Sequence, residues 1–374
     1  MDSCEVLIVG GGPAGSSCAR RLRGAGLDTI ILDKSTFPRD KVCGGWITPE
    51  VIEELEIDPA EYAHGRVLQP ITSFRTSRMG DAEIETDYGR AVSYGIRRFE
   101  FDDYLLRRCG ARLVLGTPLR TLERSAGKWI VNGEIQARLL VGAGGHFCPV
   151  ARFLGAKTSG ETAVAAQEIE FEMDPQQRDL CSIRGETPEL YFCPDMKGYG
   201  WCFRKGNFLN IGLGRIDAHS LPTYVSGFVR ALKESGKVAF NLPASMRGHA
   251  YLIFRETKRS VVGDQVLLIG DAAGLAYSQS GEGIRPAIES GLLAAKSILG
   301  TDGEYARDKL ESYREMLASR FGESQSTWST RIGRRLPPPM MQSLAKWLLG
   351  THWFSRHVVL DCWFLHANES GFTA

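Results

Sequence analysis

The chain has 374 residues, of which 43% are hydrophobic and 24% charged, with 45 Lys and Arg against 44 Asp and Glu. That length allows two packed domains or one large one, and the balanced charge gives no electrostatic case for a nucleic-acid partner. No run reaches the roughly 20 apolar residues that span a bilayer. The nine cysteines are odd in number, scattered and without a Cys-x-x-Cys pair, which suggests neither zinc nor an iron–sulfur cluster.

In chain order, "EVLIV" (5–9) reads as a short buried strand. The run "GGGPAGSSCARRLRGAG" turns and becomes a helix that ends near Gly24 or Gly26, and "DTIILDK" (28–34) is a second buried strand. This β-turn-α-β unit occupies the length of one parallel crossover. The chain enters it at once, with no targeting segment before it, so the expected setting is a reducing cytosol. Gly10-Gly11-Gly12-Pro13-Ala14-Gly15 fits G-x-G-x-x-G, with a strand before it, a helix after it and Asp33 ending the next strand. Gly10 permits the tight turn, Gly12 lets backbone N–H groups approach a diphosphate, and Gly15 lets the helix pack on the sheet. The helix N-terminus favours the phosphates. Pro13, Ala14 and Lys34 complete this end of the expected site. Asp33 is expected to accept from a ribose hydroxyl, which favours FAD or NAD over NADP.

"DKVCGGWITP" (40–49) reads as neither helix nor strand. Residues 66–96 form short alternating segments, read as antiparallel strands of another layer. "RFEFDDYLLRRCG" (98–110) is an amphipathic helix, followed by strand-like segments up to "ARLLVGAGG" (137–145). The stretch 161–255 is strand-rich. "QVLLIGDAAG" (265–274) is another buried strand, and "GEGIRPAIESGLLAAKSIL" after it starts and forms a helix. The predicted fold is α/β: a Rossmann-like domain built from 1–65, 97–160 and 256–310, interleaved with a mostly antiparallel substrate domain from 66–96 and 161–255. Residues 311–374 form a C-terminal helical region. Its stretch 340–365 holds three of the seven tryptophans. Two readings stand for it: helices packed on the main body, or a surface that sits in a lipid interface. The seven histidines show no metal-ligand spacing, and no metal site is expected.

Gly10 to Gly15, Gly270-Asp271-Ala272-Ala273 and the spacing of Arg98 and Asp102 resemble flavoproteins of the p-hydroxybenzoate hydroxylase fold. The resemblance implies FAD. It places Asp271 on a ribityl hydroxyl and Arg98 against the cofactor near its diphosphate. It aims the helix that starts at Gly281-Glu282-Gly283-Ile284 at the flavin N1/O2 edge, where reduction leaves negative charge. Within that fold the chain resembles the geranylgeranyl reductase branch over roughly residues 4–300. The resemblance rests on "CGGWITP", on "YGWCF" (199–203), on Gly274 in "GDAAG" and on "GEGI" followed by Ala287 and Gly291. The chain departs from the branch at Gly144-Gly145, where Asp-Gly is usual, at Ser278 in place of a proline, and at Pro194 and Arg204 around "YGWCF". FAD binding, with Gly144 among its contacts, is expected to survive, and the pocket from Pro194 to Arg204 to be reshaped.

The implied activity is reduction of carbon–carbon double bonds in an isoprenoid, lipid-like substrate. Hydride comes from reduced FAD and a proton from Cys43, Tyr199 or water. Trp46, Tyr199, Trp201 and Phe203 supply apolar walls, and Cys43, Tyr199 and Trp201 form the expected catalytic set. Gly44 and Gly45 would let the backbone run beside the isoalloxazine ring. The external electron donor is NAD(P)H or a partner protein such as a ferredoxin, and the aromatic tail suits a peripheral membrane contact. Two rival readings are an FAD-dependent monooxygenase or halogenase acting on an aromatic or apolar small molecule, and a non-catalytic prenyl-binding protein. The Trp-x-Trp-x-Ile-Pro context of tryptophan halogenases is not present.

Overall fold

A computed structural model describes residues 1–156, 163–243, 246–252, 259–322, 338–369 and 371–372. The strands of the first half are β1 (Asp2–Val9), β2 (Thr29–Leu32), β3 (Trp46–Ile47), β4 (Leu68–Ile71), β5 (Ser73–Arg78), β6 (Ile84–Asp87), β7 (Ser93–Ile96), β8 (Arg112–Val114), β9 (Leu122–Ser125), β10 (Lys128–Val131) and β11 (Ile135–Gly142). Those of the second half are β12 (Ala163–Glu172), β13 (Glu189–Phe192), β14 (Gly198–Lys205), β15 (Phe208–Arg215), β16 (Arg247–Leu252), β17 (Val262–Gly263) and β18 (Val266–Leu268). The main helices of the body are α1 (Pro13–Gly24), α2 (Arg98–Arg108), α3 (Leu221–Glu234), α4 (Ile284–Leu299) and α5 (Arg307–Leu317).

The first sheet has eight strands around the order β17-β18-β11-β1-β2-β8, with β10 and β9 continuing from β11. Its centre is parallel: β1 pairs with β11 and β2, β2 with β8, and β11 with β18. Val6, Leu7 and Ile8 of β1 are fully buried, as continuous apolar runs are in a parallel sheet covered on both faces. Helices α1 and α4 pack tightly against each other because a Cβ at Gly291 would lie 2.4 Å from the Ala14 carbonyl oxygen. The two helix starts, 271 residues apart in sequence (13 and 284), are thereby held side by side.

The second sheet has seven strands in the order β16-β12-β15-β14-β13-β5-β6, antiparallel except for the parallel pair β13–β5. Helix α3 covers one face, burying Leu221, Val225, Phe228 and Leu232 against Ile169, Ile211 and Leu213. This helix falls inside the stretch read as strand-rich. Its apolar residues recur with helical spacing, a short signal flanked by stronger strand patterns. Two further expectations need correction. Residues 66–96 are not one layer: β5 and β6 join the second sheet, whereas β4 and β7 form a small sheet with β3. The stretch 40–49 is not wholly irregular either, because Trp46–Ile47 pairs with Tyr94–Gly95. The domain boundaries placed at 160/161 and 255/256 lie outside the described residues.

The C-terminal region carries α5, which starts four residues ahead of position 311, then helices Pro338–Leu349 and His352–Phe354 and a helical segment Ser355–Phe364. Leu349, Val359, Leu360, Phe364 and Leu365 are buried against Phe74, Phe192, Trp201 and Phe203. Trp347 and Trp353 remain 67% and 66% exposed. Among the described residues no helix is long and apolar enough to cross a membrane.

Candidate active site

A cavity of about 570 Å³ opens at the carboxyl ends of β1, β2 and β11 and runs under the second sheet, at the edge where parallel α/β sheets take ligands. Gly10, Gly12, Pro13, Ala14, Asp33, Lys34, Arg98, Gly144, Asp271, Gly281, Gly283 and Ile284 line one end. Cys43, Gly44, Gly45, Trp46, Tyr199, Trp201 and Phe203 line the same cavity. Gly15 and Gly270 stand one layer behind the wall. A Cβ at Gly15 would sit 1.9 Å from the Gly10 carbonyl oxygen, and one at Gly270 would sit 3.0 Å from Ala14 Cβ. These two glycines shape the turn without facing the space it encloses.

The first end is made largely of backbone. Gly12 precedes α1 with extended dihedrals, and Pro13 occupies the first helical position, where its missing N–H costs nothing. Asp33 accepts from Gly11 N (2.7 Å) through Oδ2 and from Ser35 N (2.8 Å) through Oδ1, so its carboxylate also locks the turn. Arg98 donates twice to Asp102, at 2.6 and 2.7 Å, and Arg39 adds a contact to the same carboxylate at 3.1 Å. Asp271 lines the cavity at the start of the 270–272 turn, its Oδ1 3.1 Å from where a Cβ on Gly283 would lie. Two helix N-termini and the glycine turn at the first of them suit a dinucleotide whose diphosphate and flavin ring need hydrogen-bond donors at opposite ends. The residues present therefore fit FAD.

The middle of the cavity is the Cys-Gly-Gly segment, held by buried polar side chains from the second sheet. Glu168 Oε1 accepts a short hydrogen bond from Cys43 N, and Asn210 Nδ2 donates to Cys43 O at 3.2 Å. Lys205 Nζ donates to Gly44 O (2.9 Å), Ile96 O (3.0 Å) and Glu170 Oε2 (2.5 Å). Gly45 has φ +67°, and a Cβ there would lie 2.2 Å from Ile96 O and 2.6 Å from Lys205 Nζ. The glycine requirement at 45 thus comes from protein neighbours, in addition to any ring in the cavity.

The far end is aromatic. Trp46 stacks on Phe364 (5.5 Å, 6°) and meets Phe74 and Phe203 at 5.4 and 6.0 Å. Tyr199 meets Trp201 at 5.9 Å and Phe364 at 5.2 Å. The polar tips of Tyr199 and Trp201 are engaged: Tyr199 donates to Ser280 O, and Trp201 Nε1 donates to Asn210 Oδ1 at 2.7 Å. Burial pushes the Tyr199 hydroxyl well above its ordinary value. That makes it a weaker acid than an ordinary phenol.

Several lining residues escaped the sequence reading. Glu168, Lys41, His249 and Tyr251 all face the cavity. Lys41 Nζ contacts the His249 ring at 3.1 Å, and burial together with that cation lowers the histidine to about 3. Burial raises both Glu168 and Glu282 to about 7. The tail reaches the same region: the buried His366 stacks on Tyr277 at 3.8 Å and lies 3.8 Å from Glu282 Oε2. One sequence signal was available. In β12 the residues Glu168 and Glu170 share the parity of the apolar Ala166 and Val164, which places carboxylates on an inward face.

A sequence profile described as FAD binding domain matches residues 3–321. The menaquinone reductase of Mycobacterium tuberculosis H37Rv is 30% identical over 361 residues, covering 90% of this chain and 83% of that protein. A digeranylgeranylglycerophospholipid reductase of Methanosphaera stadtmanae is 26% identical over 353 residues, covering 86% and 85%. In fold, the chain superposes on a geranylgeranyl bacteriochlorophyll reductase-like protein of Thermoplasma acidophilum with a TM-score of 0.76, at 21% identity, covering 92% and 91%.

Proposed function

The chain belongs to the geranylgeranyl reductase family of FAD-dependent oxidoreductases, and from that premise we propose that it saturates carbon–carbon double bonds of a polyprenyl chain. The relatives carry names built on a quinone and on a glycerophospholipid, so the shared substrate element is the prenyl chain. The observation that carries the reading is the continuity of one cavity, in which the FAD-fitting end and the aromatic end meet at Cys43-Gly44-Gly45.

Gly10, Gly12 and the N-terminus of α1 would hold the diphosphate, Asp33 the ribose, Asp271 the ribityl chain, and the N-terminus of α4 the ring edge. Bound FAD, once reduced, supplies hydride. Trp46, Tyr199, Trp201 and Phe203 exclude water and press the prenyl chain into place. Cys43 stands at the junction and positions one double bond. NAD(P)H or a ferredoxin provides the electrons. The exposed Trp347 and Trp353, on the tail whose other face closes the aromatic end, support docking on the membrane that contains such a substrate. Replacing both by Ala is expected to lower co-sedimentation with anionic liposomes about tenfold, roughly 1.4 kcal/mol, and unchanged co-sedimentation removes the membrane contact.

The test of the activity is anaerobic incubation of dithionite-reduced holoprotein with geranylgeranyl diphosphate and with a prenylated quinone. Mass spectrometry should show a gain of one H2 per bond as the flavin reoxidises. Flavin that stays reduced with every prenyl compound defeats the proposal. A hydroxylated product formed with oxygen would point to the monooxygenase instead.

A further inference from the structure

We infer that Glu168 is the acid that delivers the proton to the second alkene carbon, an assignment that rests on the reductase reading above. Glu168 is 4% exposed and lies on the cavity-facing side of β12. Its Oε1 accepts from Cys43 N, whereas its buried Oε2 has no hydrogen-bond partner among the described residues. A buried carboxylate oxygen left without a donor is strongly unfavourable, but a carboxylic acid O–H directed into a cavity is a donor awaiting a substrate.

The surrounding charges agree. Lys205 lies on β14, but its ammonium is taken up by Glu170 and by the carbonyls of Gly44 and Ile96. On the loop before β3, Lys41 is turned to His249 of β16. Arg247, opposite Glu168 in the β12–β16 register, contacts Asp40 at 3.2 Å. Asn210 on β15 is neutral, and Glu170 two residues along β12 carries like charge. Among the described residues no cation is bonded to the Glu168 carboxyl; the charges of Lys205 and Lys41 pull it down, but burial outweighs them and raises it to about 7, so that about half of it is protonated at pH 7. Of the two side chains named above for the proton, Tyr199 donates to Ser280 O, and the Cys43 thiol is left to position the double bond.

The step balances. Hydride and its two electrons come from reduced flavin to one alkene carbon. The Glu168 O–H bond breaks, a C–H bond forms at the other carbon, and the carboxylate left behind is reprotonated from water after the product leaves. Protonation coincides with hydride arrival, because an isolated double bond is a poor hydride acceptor by itself.

Glu168→Gln tests this, because the amide keeps an acceptor for Cys43 N and loses the acid. In anaerobic single turnovers of the dithionite-reduced holoprotein with geranylgeranyl diphosphate, the parent rate should fall as pH rises through about 7. The variant should be slower by at least about 100-fold and indifferent to pH over that range, with its flavin spectrum and FAD content unchanged. Infrared difference spectra of the oxidised holoprotein supply a readout apart from turnover. The protonated-carboxyl C=O absorption that titrates near neutral pH in the parent should lose the Glu168 share in Glu168→Gln, leaving that of Glu282. Parent-like turnover and pH dependence in the variant, or no such band in the parent, overturns the assignment. Should the Gln variant not fold, Glu168→Asp keeps the acid one methylene further back: slowed turnover with a retained band supports the role, and parent-like turnover overturns it. Failure of the reductase reading would appear in the parent itself, as flavin that no prenyl compound reoxidises. Failure of the Glu168 assignment appears only as the absence of a difference between parent and variant, or of the band.

Discussion

The two ends of the cavity are built in different ways. The end that fits FAD is backbone: a glycine turn, two helix starts and a few carboxylates, most of them in short contiguous runs. The far end is side chain, assembled from Trp46, Ala166, Glu168, Tyr199, Trp201, Phe203 and, from the last helical segment, Phe364. A backbone site tolerates almost no substitution at its glycines but little constrains its neighbours. A side-chain site spreads its tolerance over many residues, and that is where relatives with differently named substrates are free to diverge.

Four substitutions or conditions would break or sharpen this contrast. The largest effect of a substitution is expected at Gly15→Ala. Its Cβ would lie 1.9 Å from the Gly10 carbonyl oxygen, so the turn must open and FAD binding should weaken about 100-fold or more, roughly 3 kcal/mol. Equilibrium dialysis checks it, and full flavin content would show that the turn yields more readily than its geometry implies. Next is Phe364→Ala. The ring is 1% exposed and stacked on Trp46, so unfolding stability should drop by about 3 kcal/mol while FAD affinity stays close to that of the parent. A parallel loss of FAD would mean that the two ends are not separable.

A further effect is expected from pH. Glu168 and Glu282 rise from 4.5 to about 7 on folding. The folded chain then holds protons that the unfolded chain has released, so stability falls as pH rises from about 4.5 to about 7. Thermal unfolding of the FAD-free protein should register a loss on the order of 3 kcal/mol for each of the two carboxyls across that window. A midpoint that climbs instead would mean that both carboxyls are ionised in the folded state. The smallest effect is at Cys43→Ser, expected to slow turnover about tenfold, roughly 1.4 kcal/mol, without change in flavin content. Parent-like turnover would remove the thiol from the reaction.

The chain by itself determined the parallel crossover, the cofactor turn with Asp33, the second helix start after Asp271, and the family likeness. Each is a local pattern, where glycine, a buried strand and a helix start stand at set distances along the backbone. The tertiary structure decided that Gly15 and Gly270 lie behind the cavity wall and that Gly45 is required by Ile96 and Lys205. It also decided that residues 66–96 divide between two sheets and that the tail closes the aromatic end while leaving two tryptophans in water. Glu168 belongs with these. Its hydrogen-bond partner Cys43 and the surrounding residues 41, 205, 210 and 249 are gathered only because β12, β14, β15 and β16 pair in one register and the 40–45 loop crosses their face. Strand register and loop crossing are long-range outcomes of packing, which no single stretch of sequence encodes.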